Sequence, residues 1–175
     1  MITVEQLKGI CPLQRLDKLL PFVKPLNSIL PAYGIDTRLR LQHFLAQAAH
    51  ETGQFRYMAE IASGEAYEGR ADLGNTVKGD GKKFKGRGIF QTTGRANYKA
   101  VSLHLFGDER LLNDPSVLSQ PDLAVKSAAF YWQSKKLNQY ADADDILSIT
   151  RRINGGTNGL EDRKIYLKLA KLNIK

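Results

Sequence analysis

Apolar positions recur at helical spacing along most of the chain. Thr3 followed by Gln6 has the pattern of a capping box and predicts a short first helix. Leu16 to Leu30 is apolar at the same spacing, but Pro21 and Pro25 each remove an amide donor, so a kinked or broken helix is expected there. Asp36 reads as the N-cap of a stronger helix that runs to about Thr52 and stops at Gly53. Further helices are expected at about Arg95 to Phe106, Pro121 to Lys135, Ala143 to Ile153 and Glu161 to Leu172, with Pro121 in the first helical position.

From Ala62 to Gly88 the helical pattern fails. This stretch is rich in Gly, Asp, Asn and Lys and too long for a simple connector, and such segments inside compact domains are often functional. No internal repeat, low-complexity tract or linker interrupts the chain. The expected fold is therefore mainly α, one domain over residues 1–175, with at most a small β-hairpin.

At 42% hydrophobic and 25% charged residues, the composition is that of an ordinary globular domain, and no apolar run approaches the roughly 20 residues of a membrane span. The first residues, Met1 to Gln6, lack the basic segment and apolar stretch of a signal peptide, so synthesis in the cytoplasm without a secretory address is expected. Cys11 is the single cysteine, which excludes an internal disulfide. The net charge of +8 suits an anionic partner such as nucleic acid, lipid or an acidic wall polymer, or simply solubility. It is uneven: Arg151 to Lys175 holds seven Lys or Arg against Glu161 and Asp162. A cationic end of this kind suits adhesion to an anionic envelope surface.

Four groups of residues could carry chemistry. Glu51 falls in the last turn of the Asp36 helix, at the edge of the face formed by Leu41, Phe44, Leu45, Ala48 and Thr52. Partial burial and the negative end of the helix dipole favour a neutral carboxyl there, as a general acid requires; a merely solvated helix-end Glu fits the pattern equally well. Glu60 follows Phe55, Tyr57 and Met58 just beyond the Gly53 break, and two carboxylates flanking a sugar are the usual machinery of glycoside hydrolysis. Glu65, Glu68 and Asp72 lie downstream, so spacing alone leaves the pairing open. The run Lys85 to Tyr98 combines close glycines with Gln91, Thr93, Asn97 and Tyr98, neutral groups suited to sugar hydroxyl and acetamido groups. Arg152 to Gly156 places Asn154 before a glycine turn.

Other chemistries lack their motifs. His50-Glu51 is not followed by the second histidine of a zinc HExxH helix, and three histidines with one cysteine make no recognisable metal set. The glycines from Gly74 to Gly81 lack the ending of a phosphate loop, and no Gly-x-Ser-x-Gly elbow occurs. No metal, nucleotide or other cofactor is indicated.

With these residues in view, the sequence resembles glycoside hydrolase family 19 from about Leu39 to Leu169. The motifs stand in the family's order: Phe44 to Gly53, Gly86-Arg87-Gly88-Ile89-Phe90-Gln91, Ile153-Asn154-Gly155-Gly156 and Asp162-Arg163. The stretch Ala66 to Thr76, followed by Gly79-Asp80-Gly81, is similar to the phage and prophage endolysin branch. The resemblance implies a lysozyme-like, two-lobed helical domain with a cleft. It implies Glu51 as general acid, Glu60 as the base that activates water, and Thr93 as a hydroxyl that helps hold that water. Gln91, Asn97 and Asn154 would bind sugar or orient the water, and Arg163 would lie near the base and keep Glu60 ionised; His50, Tyr57 and Tyr98 are further candidates for substrate contact. Inversion at the anomeric carbon would follow, with the carboxyl groups about 6.5–9.5 Å apart.

The expected activity is hydrolysis of the MurNAc–GlcNAc β-1,4 bond of peptidoglycan by a monomeric endolysin. It would reach the periplasmic wall after a holin or other event permeabilises the membrane, with no nucleic acid as partner. The alternatives are a chitinase on GlcNAc polymer, a lytic transglycosylase that uses one Glu, and a non-catalytic basic wall- or nucleic-acid-binding protein.

Overall fold

A computed structural model describes residues 1–175 and contains ten α-helices. The first three are α1 (Val4–Ile10), α2 (Leu16–Ile29) and α3 (Arg38–Glu51). A short helix, α4 (Asp80–Lys83), forms within the stretch from Ala62 to Gly88, and α5 (Arg95–Phe106) and the short α6 (Arg110–Asn113) follow it. The last four are α7 (Pro121–Ser134), α8 (Asn138–Asp142), α9 (Ile146–Asn154) and α10 (Leu160–Asn173).

The capping box forms as the sequence predicts: Thr3 accepts from the Gln6 amide, and the Gln6 side chain accepts from the Thr3 amide. At α3 the cap is Thr37, one residue later than expected. Thr37 Oγ1 accepts from the Arg40 amide, while Asp36 is drawn instead to the Arg40 guanidinium. Helix α9 likewise starts late, because Asp145 caps the Ser148 amide. Pro21 and Pro25 sit inside an unbroken α2. The burial of Leu19, Phe22 and Leu26, at roughly 1.5–3 kcal/mol each, offsets the lost backbone bonds.

Two apolar cores give the molecule two lobes. The larger joins α1, α2, α3, α7 and α10 around Leu7, Phe22, Phe44, Leu45 and Trp132; the smaller gathers Phe84, Tyr98, Val101, Leu111 and Leu118. Helix α3 runs through the large lobe and packs along α10. The sequence predicts one buried face for α3, but every residue from Gln42 to Ala49 is buried. Small residues at 46, 48 and 49 admit close neighbours. The polar residues find partners in the interior: Gln42 donates to the Ile174 carbonyl, and His43 pairs with Asp144 at 2.7 Å.

No strand forms. Two isolated bridges, Ala59 with Arg87 and Arg87 with Thr92, make the small β element that the sequence allowed. The irregular stretch before it is tied down by side chains. Asn75 donates to the Tyr67 carbonyl and accepts from the Arg95 amide, and buried Asp80 pairs with Arg95. No helix is long and apolar enough to cross a membrane.

Candidate active site

The C-terminal end of α3 carries Glu51, whose side chain is 21% exposed. Its Oε1 accepts from Arg163 on α10, whose own side chain is 1% exposed, and the same guanidinium donates to Gln47 one turn back on α3. The sequence reading placed Arg163 beside Glu60. The structure corrects this: α10 packs along α3, so the arginine reaches the carboxylate on that helix. Glu51 Oε2 has no protein partner and remains free to meet a ligand.

Next to Glu51, His50 Nδ1 lies 2.6 Å from Asp162 Oδ2. A carboxylate at Nδ1 fixes that nitrogen as the protonated one. Gly159 allows the arrangement, because a Cβ there would stand 2.3 Å from the His50 ring.

Glu60 is set by the bridged strip. Its amide donates to the Gly86 carbonyl, and the Gly88 amide donates to the Met58 carbonyl. The Glu60 side chain turns back onto the same strip: Oε2 accepts from the Gly86 amide at 3.1 Å and Oε1 from the Tyr67 hydroxyl at 2.9 Å. Burial first, then the adjoining Glu60 carboxylate, push the Tyr67 hydroxyl above its ordinary value, so it stays a donor.

Gly86 also joins Glu60 to the neutral cluster. A Cβ on Gly86 would lie 2.7 Å from Gln91 Oε1 and 3.2 Å from Thr93 Oγ1. Both side chains therefore rest on the residue whose amide holds Glu60. Gln91 donates to the Gly88 carbonyl, Thr93 to the Gln91 carbonyl and Asn97 to the Thr93 carbonyl, so the three hold one another in place. They share a cavity of about 420 Å³ with Tyr131 of α7. Burial raises the Tyr131 hydroxyl, with a further contribution from the negative charge of Glu51.

The remaining carboxylates that left the pairing open are engaged elsewhere. Glu65 pairs with Lys82, Asp72 with Arg70, and Glu68 accepts from the amides of Gly79 and Gly81. Of the set, Glu60 is the one joined to Gln91 and Thr93.

One further sequence candidate is placed differently. Tyr98 is fully buried; its hydroxyl donates to the Lys85 carbonyl and accepts from Arg87, and its pKa is pushed up to about 12, mainly by burial. It supports the strip from behind and is not a sugar contact. Asn154 is exposed as the last residue of α9, before Gly155. Tyr57 is 41% exposed and lies against Gly53. Tyr67, Tyr131 and Gln47 were not singled out as site residues from the sequence, and Gln47 takes its role through Arg163, 116 positions along the chain.

A protein of Haemophilus influenzae described as containing a glycosyl hydrolase family 19 domain is 31% identical to this chain, over 78% of this chain and 81% of its own length. The chain belongs to glycosyl hydrolase family 19. It is a chitinase-like glycoside hydrolase. An Arabidopsis thaliana endochitinase is also 31% identical over 83% of the chain, which spans 50% of that longer protein. No family model matches.

Solved family 19 structures share the fold. Chitinase C from Streptomyces griseus superposes with a TM-score of 0.77 at 23% identity, covering 99% of this chain and 76% of that one. A class IV chitinase from Zea mays gives 0.70 at 21% identity, covering 99% and 92%. The lysozyme-like helical domain expected from the sequence is the fold observed.

Proposed function

We propose that this family 19 hydrolase cleaves the β-1,4 bond between MurNAc and GlcNAc of peptidoglycan, as an endolysin, by a two-carboxylate inverting reaction. The observation that carries the mechanism is the convergence of Glu60, Gln91 and Thr93 on Gly86, taken with a second carboxylate, Glu51 at the end of α3, that has one oxygen unpaired. Glu51 delivers a proton from Oε2 to the leaving glycosidic oxygen as the C–O bond breaks. Glu60 takes a proton from a water held near Gln91 and Thr93, and that water's oxygen bonds to the anomeric carbon from the opposite face. Both products end in free hydroxyls, so the reaction consumes one water and leaves a reducing sugar. Arg163 and Gln47 orient the acid; Tyr67 and the Gly86 amide orient the base.

The peptidoglycan substrate is supported by the net charge of +8, which suits an acidic wall polymer, and by the likeness of the stretch from Ala66 to Gly81 to endolysins. On this reading the protein acts as a monomer in the periplasm after a holin or similar event opens the membrane, and its basic C-terminal helix can meet anionic envelope surface. A second reading, chitin hydrolysis with the same residues, is favoured by the relatives named endochitinases. Mass spectrometry of products from purified peptidoglycan, with chitin oligomers in parallel, separates the two. Reducing muropeptides ending in MurNAc are expected; cleavage of chitin alone overturns the endolysin reading, and anhydro ends overturn the hydrolytic mechanism.

A further inference from the structure

The strip that joins Glu51 to Glu60 has a second face. Gly53, Gln54 and Phe55 follow one another in the left-handed region, with φ of 56°, 65° and 62°. For Gln54 and Phe55 this conformation is strained and persists only where the surroundings fix it. Here they do. Phe55 is buried against Phe22, with ring centres 5.0 Å apart, and its amide donates to Thr52 Oγ1. Gln54 accepts from the Leu13 amide and donates to the Tyr166 hydroxyl, while Gln14 donates to the Gln54 carbonyl.

The effect of this turn is to present Arg56 and Tyr57 outward, facing the loop between α1 and α2. Together they wall a pocket of about 720 Å³, within the size range of ligand sites. Its lining includes Leu13, Arg15, Lys18, Phe22, Arg56 and Tyr57 and contains no carboxylate. Arg15 is paired with Asp17 at 2.9 Å, but Lys18 and Arg56 form no ion pair. Arg56 lies over the Tyr57 ring, 5.2 Å from its centre, which holds the guanidinium in place without neutralising it.

We propose that this pocket binds the carboxylate-bearing peptide stem of the glycan, with Lys18 and Arg56 pairing with its carboxylates and Leu13, Phe22 and Tyr57 covering its aliphatic parts. The proposal rests on the peptidoglycan reading above. One wall of this cationic pocket, Gly53 to Met58, belongs to the stretch of chain that runs from Glu51 to Glu60. Neutral GlcNAc polymer offers these cations nothing to pair with, whereas a carboxylate matches the guanidinium fork. The pocket is thus the feature that separates the two substrates, which the shared catalytic residues do not.

The test compares wild type with the double variant Lys18→Gln, Arg56→Gln on three substrates: stem-bearing glycan strands, the same strands freed of stems by an amidase, and chitin oligomers. Both residues are exposed, so the variant is expected to fold, which its thermal midpoint checks. Wild type is expected to favour stem-bearing strands over stem-free ones in kcat/KM by about tenfold, the scale of two partly exposed charge pairs. The double variant is expected to lose that preference and to cleave stem-free strands as wild type does. If wild type cuts both kinds of strand equally, or the variant slows on both alike, the pocket assignment falls and the peptidoglycan reading stands. If wild type cuts chitin oligomers alone, both fall.

Discussion

Arg163 and Glu51 form an ion pair in which the arginine is almost wholly buried and the carboxylate is partly open to the cleft. The asymmetry sets what each substitution does. Glu51→Leu strands a buried cation and is expected to cost about 3–5 kcal/mol of stability. Glu51→Gln keeps an oxygen for the guanidinium and is expected to cost about 1–2 kcal/mol while abolishing turnover. Urea unfolding of both variants, alongside activity, checks the difference. Equal stability loss would show that the pair does not hold α10 to α3.

Gly86 is required by space at the base. The Cβ of Gly86→Ala meets Gln91 Oε1 and Thr93 Oγ1. Displacement of those groups by a fraction of an ångström to 1 Å is expected to lower kcat by about ten- to a hundredfold. KM should change much less, and the thermal midpoint should fall only modestly. Steady-state kinetics with a soluble oligosaccharide provides the reading; an unchanged kcat would remove Gln91 and Thr93 from the catalytic step.

Tyr67 orients the base through one hydrogen bond to Glu60 Oε1. Tyr67→Phe deletes that donor and little else, so kcat/KM is expected to fall by about tenfold with the fold unchanged. Retention of full activity by the variant would leave Glu60 positioned by the Gly86 amide alone.

The helices were legible because their signals are local. The Thr3–Gln6 box, the Pro121 start and the Gly53 stop each act within a turn of where they stand. Glu51 was legible for the same reason, as a helix-end carboxylate. The choice of Glu60 among four nearby carboxylates was not contained in spacing, because it depends on Gly86, 26 residues away, offering its amide. Arg163 was assigned to the wrong carboxylate since nothing local says that α10 lies along α3. Tyr98 reads like its polar neighbours Asn97 and Gln91, and only the small lobe's core, which closes over it, turns it into a support. The Asp36 cap was displaced by one residue when Arg40, held by Asp142 across the fold, took the aspartate as well.

Acid stability should carry the mark of Asp80. The Arg95 guanidinium, ahead of other causes, holds this carboxyl below its ordinary 3.8. A carboxyl held low in the folded state stabilises fully above its unfolded value and loses that contribution as pH falls through about 4 and below. The pair ties α4 to α5 around the Gly86–Thr93 cluster. Asp80→Asn is expected to lower stability at neutral pH and to flatten its decline below pH 4, measured by urea unfolding across pH. An unaltered slope would place the acid sensitivity elsewhere.

The most direct test of the two-carboxylate account is the configuration of the first product. Proton NMR recorded in the opening minutes of oligosaccharide cleavage distinguishes the anomers before they interconvert. Water activated by Glu60 and added opposite the leaving oxygen gives the α-anomer first, and that is the result expected. A β-anomer formed first would mean retention through an intermediate and would contradict the role assigned to Glu60.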